Sequence, residues 1–463
     1  MIDNDIIFQP LKFRNLVVKN RIFRSNLSGR FDNYDGSGTQ VRLNWEERFA
    51  RGGVGAILTS FVPIDIRGRI LPYYATLDRD ERIPFWRQVG DVVHRYDCKL
   101  ILQLSHSGRQ REVGGIENLD KSALSSVSRI DSTDKFPCET MTTDQIRETV
   151  HQFADGACRA KKAELDGVEL HASSGYLFTQ FLSSALNDRQ DQYGGSLENR
   201  TRFLLEVLRA IRKRVGDEFH VQVKISAIDQ ANAVYFWKKK GNTLEESIQV
   251  CRWIEEAGAD AVHISTGSSF PHPLNPPGSF PVADGIRASG QKKPSAATRT
   301  SWKTLETHFQ MLQPVFRYFW NHARPKQIEG INVPAAHEIK KHIKIPVICT
   351  GGFQTASYIR QVLRDGACDA VSIGRSLIAN YDLVKIFEAG IDRPLKPCTY
   401  CNKCLANALE SPLGCYEVSR YDGDHDRMVR EIMSVFQPPA FSQPGSWEGS
   451  GFDRRMIISR SSN

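Results

Sequence analysis

Short apolar runs alternate with longer stretches of helical periodicity along most of the chain. The runs fall at Arg21–Phe23, Ala56–Thr59, Leu100–Leu104, Gly167–Leu170, Val221–Ile225, Ala261–Ile264, Pro346–Thr350 and Ala370–Ile373. Most are continuous rather than alternating, as expected of parallel strands covered on both faces. Between them, Thr142–Ala163 opens on a threonine with Gln145 three residues on, and Thr243–Ala257 on a threonine with Glu246 three on. Both are capping-box spacings. Leu197–Val215 carries Phe203, Val207, Leu208 and Ile211 at helical spacing, and Thr355–Arg364 follows a glycine pair. Eight strand–helix repeats predict an α/β fold, a closed (β/α)8 TIM barrel, although periodicity alone also permits an open doubly wound sheet.

Two regions break the repeat. Residues 271–334 are too long for a strand-to-helix connection; they hold a Pro-rich part, a polar part and an aromatic part with Phe316, Tyr318, Phe319 and Trp320. Such an insertion after strand six reads as a lid or binding loop, its aromatics as packing or a subunit contact. From residue 437 the chain is rich in Pro, Ser and Gly and reads as a flexible tail. The expected organisation is a barrel over 1–395 with the insertion inside it, a Cys-rich extension over 396–436 packed on the barrel, and the tail over 437–463.

Composition narrows the class. Of the 463 residues, 40% are hydrophobic and 25% charged, enough to bury a large core. Lys and Arg number 61 against 53 Asp and Glu, a net charge of +8 without a dense basic run, so nucleic acid is not an expected partner. No apolar run is long enough to span a bilayer, and the acidic start Met1-Ile2-Asp3 has no signal pattern. A cytoplasmic enzyme acting on a small molecule is the expectation, with a homo-oligomer left open.

In a barrel the chemistry sits at the carboxyl ends of the strands. There the chain carries Gln103-Leu104-Ser105-His106-Ser107-Gly108-Arg109 after strand three and His171-Ala172-Ser173-Ser174-Gly175-Tyr176 after strand four. Lys224 and Ser226 lie on strand five, His263 on strand six, Gly351-Gly352 after strand seven and Gly374-Arg375 after strand eight. Glycines after strands seven and eight suit a phosphate, because backbone N–H groups can approach the anion there.

The stretch from His171 to Leu182, followed by Asn187-Asp-Arg-Gln-Asp-Gln-Tyr-Gly-Gly-Ser-Leu-Glu-Asn-Arg200, resembles the signature of the old yellow enzyme family of flavin oxidoreductases. Phe8-Gln-Pro-Leu, Lys19-Asn-Arg21, Gln103–Arg109 and the two glycine loops agree in order, so the resemblance covers about residues 5–435 outside the insertion. It implies FMN as cofactor and NAD(P)H as electron donor. It implies that Ser25, Asn26, Leu27 and Ser28 line the flavin and that Gln103 binds its pyrimidine edge. Lys224 would stabilise the reduced, anionic flavin near N1–O2, while Gly351, Gly352, Gly374 and Arg375 would hold the phosphate. His171 and Ser174 would grip a substrate oxygen and Tyr176 would protonate carbon. The implied reaction is reduction of an activated C=C bond, and its logic is general: hydride arriving at a β-carbon pushes charge onto oxygen, which two donors stabilise while a phenol supplies the α-proton. His106 reads as support for its loop, and His272 as a second acid only by analogy with dienoyl reductases. Three positions depart from the family pattern: Ser174 replaces His or Asn, Lys224 replaces Arg, and Asn26 replaces Pro.

Cys398, Cys401, Cys404 and Cys415 have the spacing C-x2-C-x2-C-x10-C. A tight triple with a returning fourth thiolate is a ligand pattern for [4Fe–4S], with zinc or no metal as the alternatives. The pattern resembles the cluster site of the 2,4-dienoyl-CoA reductase and trimethylamine dehydrogenase branch, which makes an electron-transfer enzyme using FMN and a cluster the second reading. No G-x-G-x-x-G follows a strand. A non-catalytic flavin-binding interaction subunit is the third reading.

Overall fold

The computed structural model describes residues 4–27, 29–70, 72–111, 122–128, 137–231, 240–267, 272–281, 284, 314–315, 318–408 and 411–437. Its centre is a barrel of eight parallel strands: β1 (Ile22–Arg24), β2 (Ala56–Leu58), β3 (Lys99–Ser105), β4 (Gly167–Ala172), β5 (His220–Ser226), β6 (Ala261–Ser265), β7 (Val347–Thr350) and β8 (Ala370–Ile373). Each strand pairs with the next and β8 pairs back onto β1, so the sheet is closed. This settles the choice between a barrel and an open sheet.

Helices α1 (Gln40–Arg51), α2 (Ile83–His94), α3 (Thr143–Lys162), α4 (Leu197–Val215), α5 (Leu244–Glu256), α6 (Val333–Lys340) and α7 (Ala356–Arg364) lie between the strands. α3 and α5 open on capping boxes made by Thr142 with Gln145 and by Thr243 with Glu246. Ser196 caps α4 by accepting from the Asn199 backbone N–H. Each cap satisfies donors that the first helical turn leaves unpaired. Among the described residues no helix is long and apolar enough to cross a membrane.

The continuous apolar runs conceal an alternation. Leu100, Leu102, Val168, Leu170, Val221, Val223, Val262 and Val371 join the large core beneath the helices. Phe23, Ala56, Leu58, Ile101, Ala261, Ile348 and Ala370 form a separate cluster with Leu11, Phe13, Leu16 and Val18. The latter four flank or belong to a short hairpin, Leu11–Lys12 against Val17–Val18. Successive side chains on a strand point to opposite faces, so the second cluster fills the barrel interior and the hairpin stops its amino end. Two residues further along several strands the interior turns polar, at Gln103, Glu169, Gln222, His263, Thr350 and Ser372.

The extension packs on the barrel. The Tyr400 hydroxyl donates to the Gly352 carbonyl, Gln354 Nε2 to the Cys398 carbonyl at 3.3 Å, and Arg420 to the Ala379 carbonyl at 2.5 Å. Of the insertion, Trp320 is buried and donates from Nε1 to the Gly278 carbonyl at 2.9 Å, whereas Tyr318 and Phe319 are exposed. Phe316, the polar part of the insertion, and the tail from residue 438 lie outside the described residues.

Candidate active site at the carboxyl end of the barrel

Strand register assembles the site. Gln103 and Gln222 both stand opposite Glu169, and Lys224 stands between His171 and His263. Side chains at matched register share a face, so two layers face the interior: Gln103, Glu169 and Gln222 below, then Ser105, His171 and Lys224.

Glu169, fully buried, is the hub of the lower layer. It accepts from Gln103 Nε2 at 2.8 Å, Asn26 Nδ2 at 3.0 Å and Gln222 Nε2 at 2.5 Å, and pairs with His263 Nδ1 at 2.8 Å. The far nitrogen of His263 reaches Thr350 Oγ1 at 2.6 Å. Burial alone would raise the Glu169 pKa; His263, the Lys224 ammonium and the Gln222 amide outweigh it and hold the carboxyl at about 2. Sequence reasoning missed this residue. Its signal was present, a lone carboxylate inside an apolar strand two positions before His171, but a single acid gives no partner until the neighbouring strands are in register.

Lys224 Nζ donates to Asn26 Oδ1 at 2.7 Å, and Asn26 Nδ2 also donates to the Thr59 carbonyl at 2.9 Å. Burial lowers the Lys224 pKa and the Glu169 carboxylate opposes that. His171 sits above, its Nδ1 3.2 Å from Ser105 Oγ, its pKa pushed well below the usual value by burial and then by Lys224. The imidazole is therefore neutral. The Tyr176 ring meets the His171 ring edge-on at 4.7 Å and the Phe61 ring at 5.0 Å, and Tyr74 and Ile70 pack into the same cluster. Ser174, with φ +63°, and Gly175, with φ +82°, form the left-handed turn that brings Tyr176 back toward His171. Ser174 Oγ lies 3.5 Å from Ser173 Oγ.

Gln180 locks this turn to the loop after β3. Its Nε2 donates to the Ser107 and Gly175 carbonyls at 3.0 and 2.8 Å, and its Oε1 accepts from Ser125 Oγ and the Arg109 N–H. A Cβ on Gly108 would lie 2.0 Å from that amide, so the loop requires glycine there. The second half of the signature is scaffolding. Asn187 donates to the Phe181 and Tyr193 carbonyls, Arg189 to the Met141 carbonyl, and Arg200 to the Leu182 carbonyl and Glu246. His106 is buried and accepts from the Gly108 N–H, and burial with Arg111 and Arg67 lowers it to about 3. His272 likewise accepts from the Leu274 N–H and falls to about 4 through burial and Lys240.

The residues fit a flavin. Gln103 Oε1 is buried without a hydrogen-bond partner while its Nε2 is fixed on Glu169, which leaves a carbonyl acceptor for an imide N–H. At the other end, Ser372 Oγ and Ser376 Oγ are also buried without partners beside Gly374. Gly352 has φ +69° and Gly374 begins the short helix Arg375–Ala379. Ser25 and Leu27 are buried beside Gly374, and Ser28 lies outside the described residues. The Arg375 guanidinium donates to the Pro277 carbonyl at 2.6 Å and to Asn402, and lies 5.3 Å from the Tyr400 ring centre. It thus joins the loop after β8 to the insertion and the extension.

Cys398, Cys401, Cys404 and Cys415 are free thiols. Burial raises the Cys404 pKa, and Cys398, Cys415 and Cys401 raise it further. The Tyr400 backbone N–H donates to Cys398 Sγ at 3.4 Å. Among the described residues no three His, Cys, Asp or Glu side chains form a metal-holding group.

Burial lowers the pKa of five histidines, His106, His171, His220, His263 and His272. A folded pKa below the unfolded value means the unfolded chain takes up protons that the fold refuses, so stability is present above about pH 6.5 and is lost as pH falls. Glu169, depressed to about 2, adds loss in the same direction below its unfolded pKa of about 4.3. Unfolding free energy is expected to drop by about 1.4 kcal/mol per pH unit for each histidine that stays neutral. Denaturant titrations between about pH 7 and about pH 4.5 test this; a flat profile would contradict it.

A family model described as NADH:flavin oxidoreductase / NADH oxidase matches residues 6–281, and one described as dihydrouridine synthase matches residues 317–433. The stretch between the two matches falls in the long segment after β6. An NADH oxidase of Thermoanaerobacter brockii is 31% identical over 406 residues, covering 86% of this chain and 52% of the relative. A cinnamate reductase of Clostridium sporogenes is 29% identical over 427 residues, covering 88% and 56%. An NADPH dehydrogenase of Geobacillus thermodenitrificans is 30% identical over 399 residues, covering 85% and 98%. The chain thus spans about half the length of the first two relatives. Among solved structures, a 2-naphthoyl-CoA reductase complex superposes with a TM-score of 0.70 at 23% identity, covering 91% of this chain and 58% of the other. Morphinone reductase in complex with tetrahydroNAD superposes with a TM-score of 0.61 at 23% identity, covering 86% and 94%. These two likenesses show a shared fold. The family model matches over six of the eight barrel strands, β1 to β6, and well over half of the chain, so the chain belongs to the NADH:flavin oxidoreductase / NADH oxidase family.

Proposed function

We propose that the protein is an FMN-dependent oxidoreductase that uses NAD(P)H to reduce an activated C=C bond, such as that of an α,β-unsaturated carbonyl compound. The observation that carries this reading is the edge-on contact of the His171 ring with the Tyr176 ring at 4.7 Å, packed against Phe61 and Tyr74. Gln103, Lys224, Gly351, Gly352 and Gly374 would hold the cofactor, with Ser25, Asn26 and Leu27 along its edge and Arg375 bracing the phosphate loop. FMN, when bound, supplies hydride that it has taken from the nicotinamide. His171 and Ser174 donate to the substrate oxygen, with Ser105 Oγ 3.2 Å from His171 Nδ1 steadying the ring. Tyr176 protonates the carbon next to the carbonyl. The names NADH oxidase, NADPH dehydrogenase and cinnamate reductase among the relatives support the electron donors and the substrate class.

An anaerobic absorbance spectrum tests the reading. Purified protein is expected to bind FMN, to bleach with NADH or NADPH, and to regain colour on adding an enoate or enone. Protein that stays colourless after incubation with FMN would sink it.

The cysteines favour a second component. Their segment touches the loop after β7 through Tyr400 on Gly352 and Gln354 on Cys398, and their spacing is that of a cluster-binding set. We infer that Cys398, Cys401, Cys404 and Cys415 hold [4Fe–4S], which would supply one-electron transfer beside the flavin. Anaerobically prepared protein should carry about four iron and four sulfide per chain, and Cys404→Ser should lose both. Zinc without sulfide would instead mean a structural site.

A further inference from the structure

We propose that Asn26 is a positioning residue that ties the Lys224 ammonium to the buried Glu169 carboxylate and so fixes a positive charge at the flavin edge. The inference rests on the flavin placement proposed above. It begins from three hydrogen bonds made by one side chain. Both amide hydrogens of Asn26 are used, on the Thr59 carbonyl at 2.9 Å and on Glu169 Oε1 at 3.0 Å. That leaves Oδ1 facing Lys224 Nζ at 2.7 Å. The amide orientation is therefore set by its own partners.

Lys224 is 7% exposed, and among the described residues this is the one hydrogen bond its ammonium donates. An ammonium has three N–H groups, so the bond anchors the charge and still leaves donors for a ligand. Without the bridge, a charge on a flexible four-carbon stem has several rotamers, and burial favours its neutral form. The two departures at this edge, Asn26 and Lys224, are thus in direct contact. A compact point charge needs an acceptor to hold it, and proline at position 26 would supply none. A fixed cation there favours whichever redox form of the cofactor carries more negative charge, so the bridge should act on the potential as well as on binding.

The test is a double-mutant cycle on FMN-loaded protein, reading the two-electron midpoint potential, FMN affinity and apo-protein stability. Asn26→Ala is expected to weaken the preference for reduced over oxidised FMN about tenfold, a potential lower by about 30 mV. Lys224→Met should lower it at least as far, and the double variant should match Lys224→Met alone, because Asn26 acts through the lysine. Additive shifts would overturn the inference. So would an unchanged potential in Asn26→Ala with only apo stability reduced, which would make Asn26 a simple brace. If Asn26→Ala does not fold, Asn26→Ser keeps one oxygen and the same cycle applies with a smaller shift. Wild-type protein that takes up no FMN would overturn the flavin placement itself, whereas FMN-loaded wild type with an indifferent Asn26 overturns the bridge alone.

Discussion

Tyr176→Phe is expected to cut turnover of an activated alkene by about 10²-fold or more, while reduction of bound FMN by NAD(P)H proceeds at the wild-type rate. A positioned proton donor contributes about 10²–10⁴-fold. The substitution removes only the hydroxyl, so the ring contacts with His171 and Phe61 persist. The split between the two half-reactions makes the experiment specific: a packing defect would slow both, whereas loss of the proton donor slows only the half-reaction in which carbon is protonated. Stopped-flow measurement of each half-reaction decides it. Alkene turnover in Tyr176→Phe close to wild type would remove the tyrosine from the mechanism.

Glu169→Ala is expected to destabilise the protein by about 3–5 kcal/mol, the range for removing one partner of a buried charged set. Gln103, Gln222, Asn26 and His263 all direct hydrogen bonds at this carboxylate, and Lys224 relies on its charge. Removing it leaves several buried donors without an acceptor and a buried cation without a counter-charge, and each orphaned donor costs about 1–3 kcal/mol. FMN affinity should fall with stability, because Gln103 loses the bond that aims its Oε1. Denaturant unfolding of the apo protein measures the first effect and FMN titration the second. Glu169→Gln keeps the volume but turns an acceptor-only group into a half-donor, so its loss should be smaller yet clear. A change below about 1 kcal/mol for Glu169→Ala would mean that water takes over the acceptor role.

Much of the fold was legible because it depends on local periodicity. All eight apolar runs are strands within a residue or two, and Thr142 and Thr243 make the capping boxes their spacing predicts. The motif positions were legible as well, since Gln103, His171 and Lys224 lie toward the carboxyl ends of their strands and Gly351-Gly352 and Gly374 directly follow theirs. The inward alternation was not, because both faces of each strand are apolar for most of its length and only the closed barrel tells interior from exterior. Glu169 escaped for the same reason. One acid among apolar neighbours is unremarkable until Gln103, Gln222 and His263 arrive from strands 3, 5 and 6 of the barrel.

The sequence by itself determined the number and order of the barrel strands and the family. These depend on residue spacing, which a linear chain already contains. Only the tertiary structure decided how those residues work together. It joined Asn26 to Lys224 across 198 positions, gathered four donors on Glu169, laid Tyr176 against His171, and tied the cysteine segment to the loops after β7 and β8 through Tyr400 on Gly352 and Asn402 on Arg375. Each of these contacts depends on the shared register of a closed sheet, where a slip of one residue would turn every inward side chain outward.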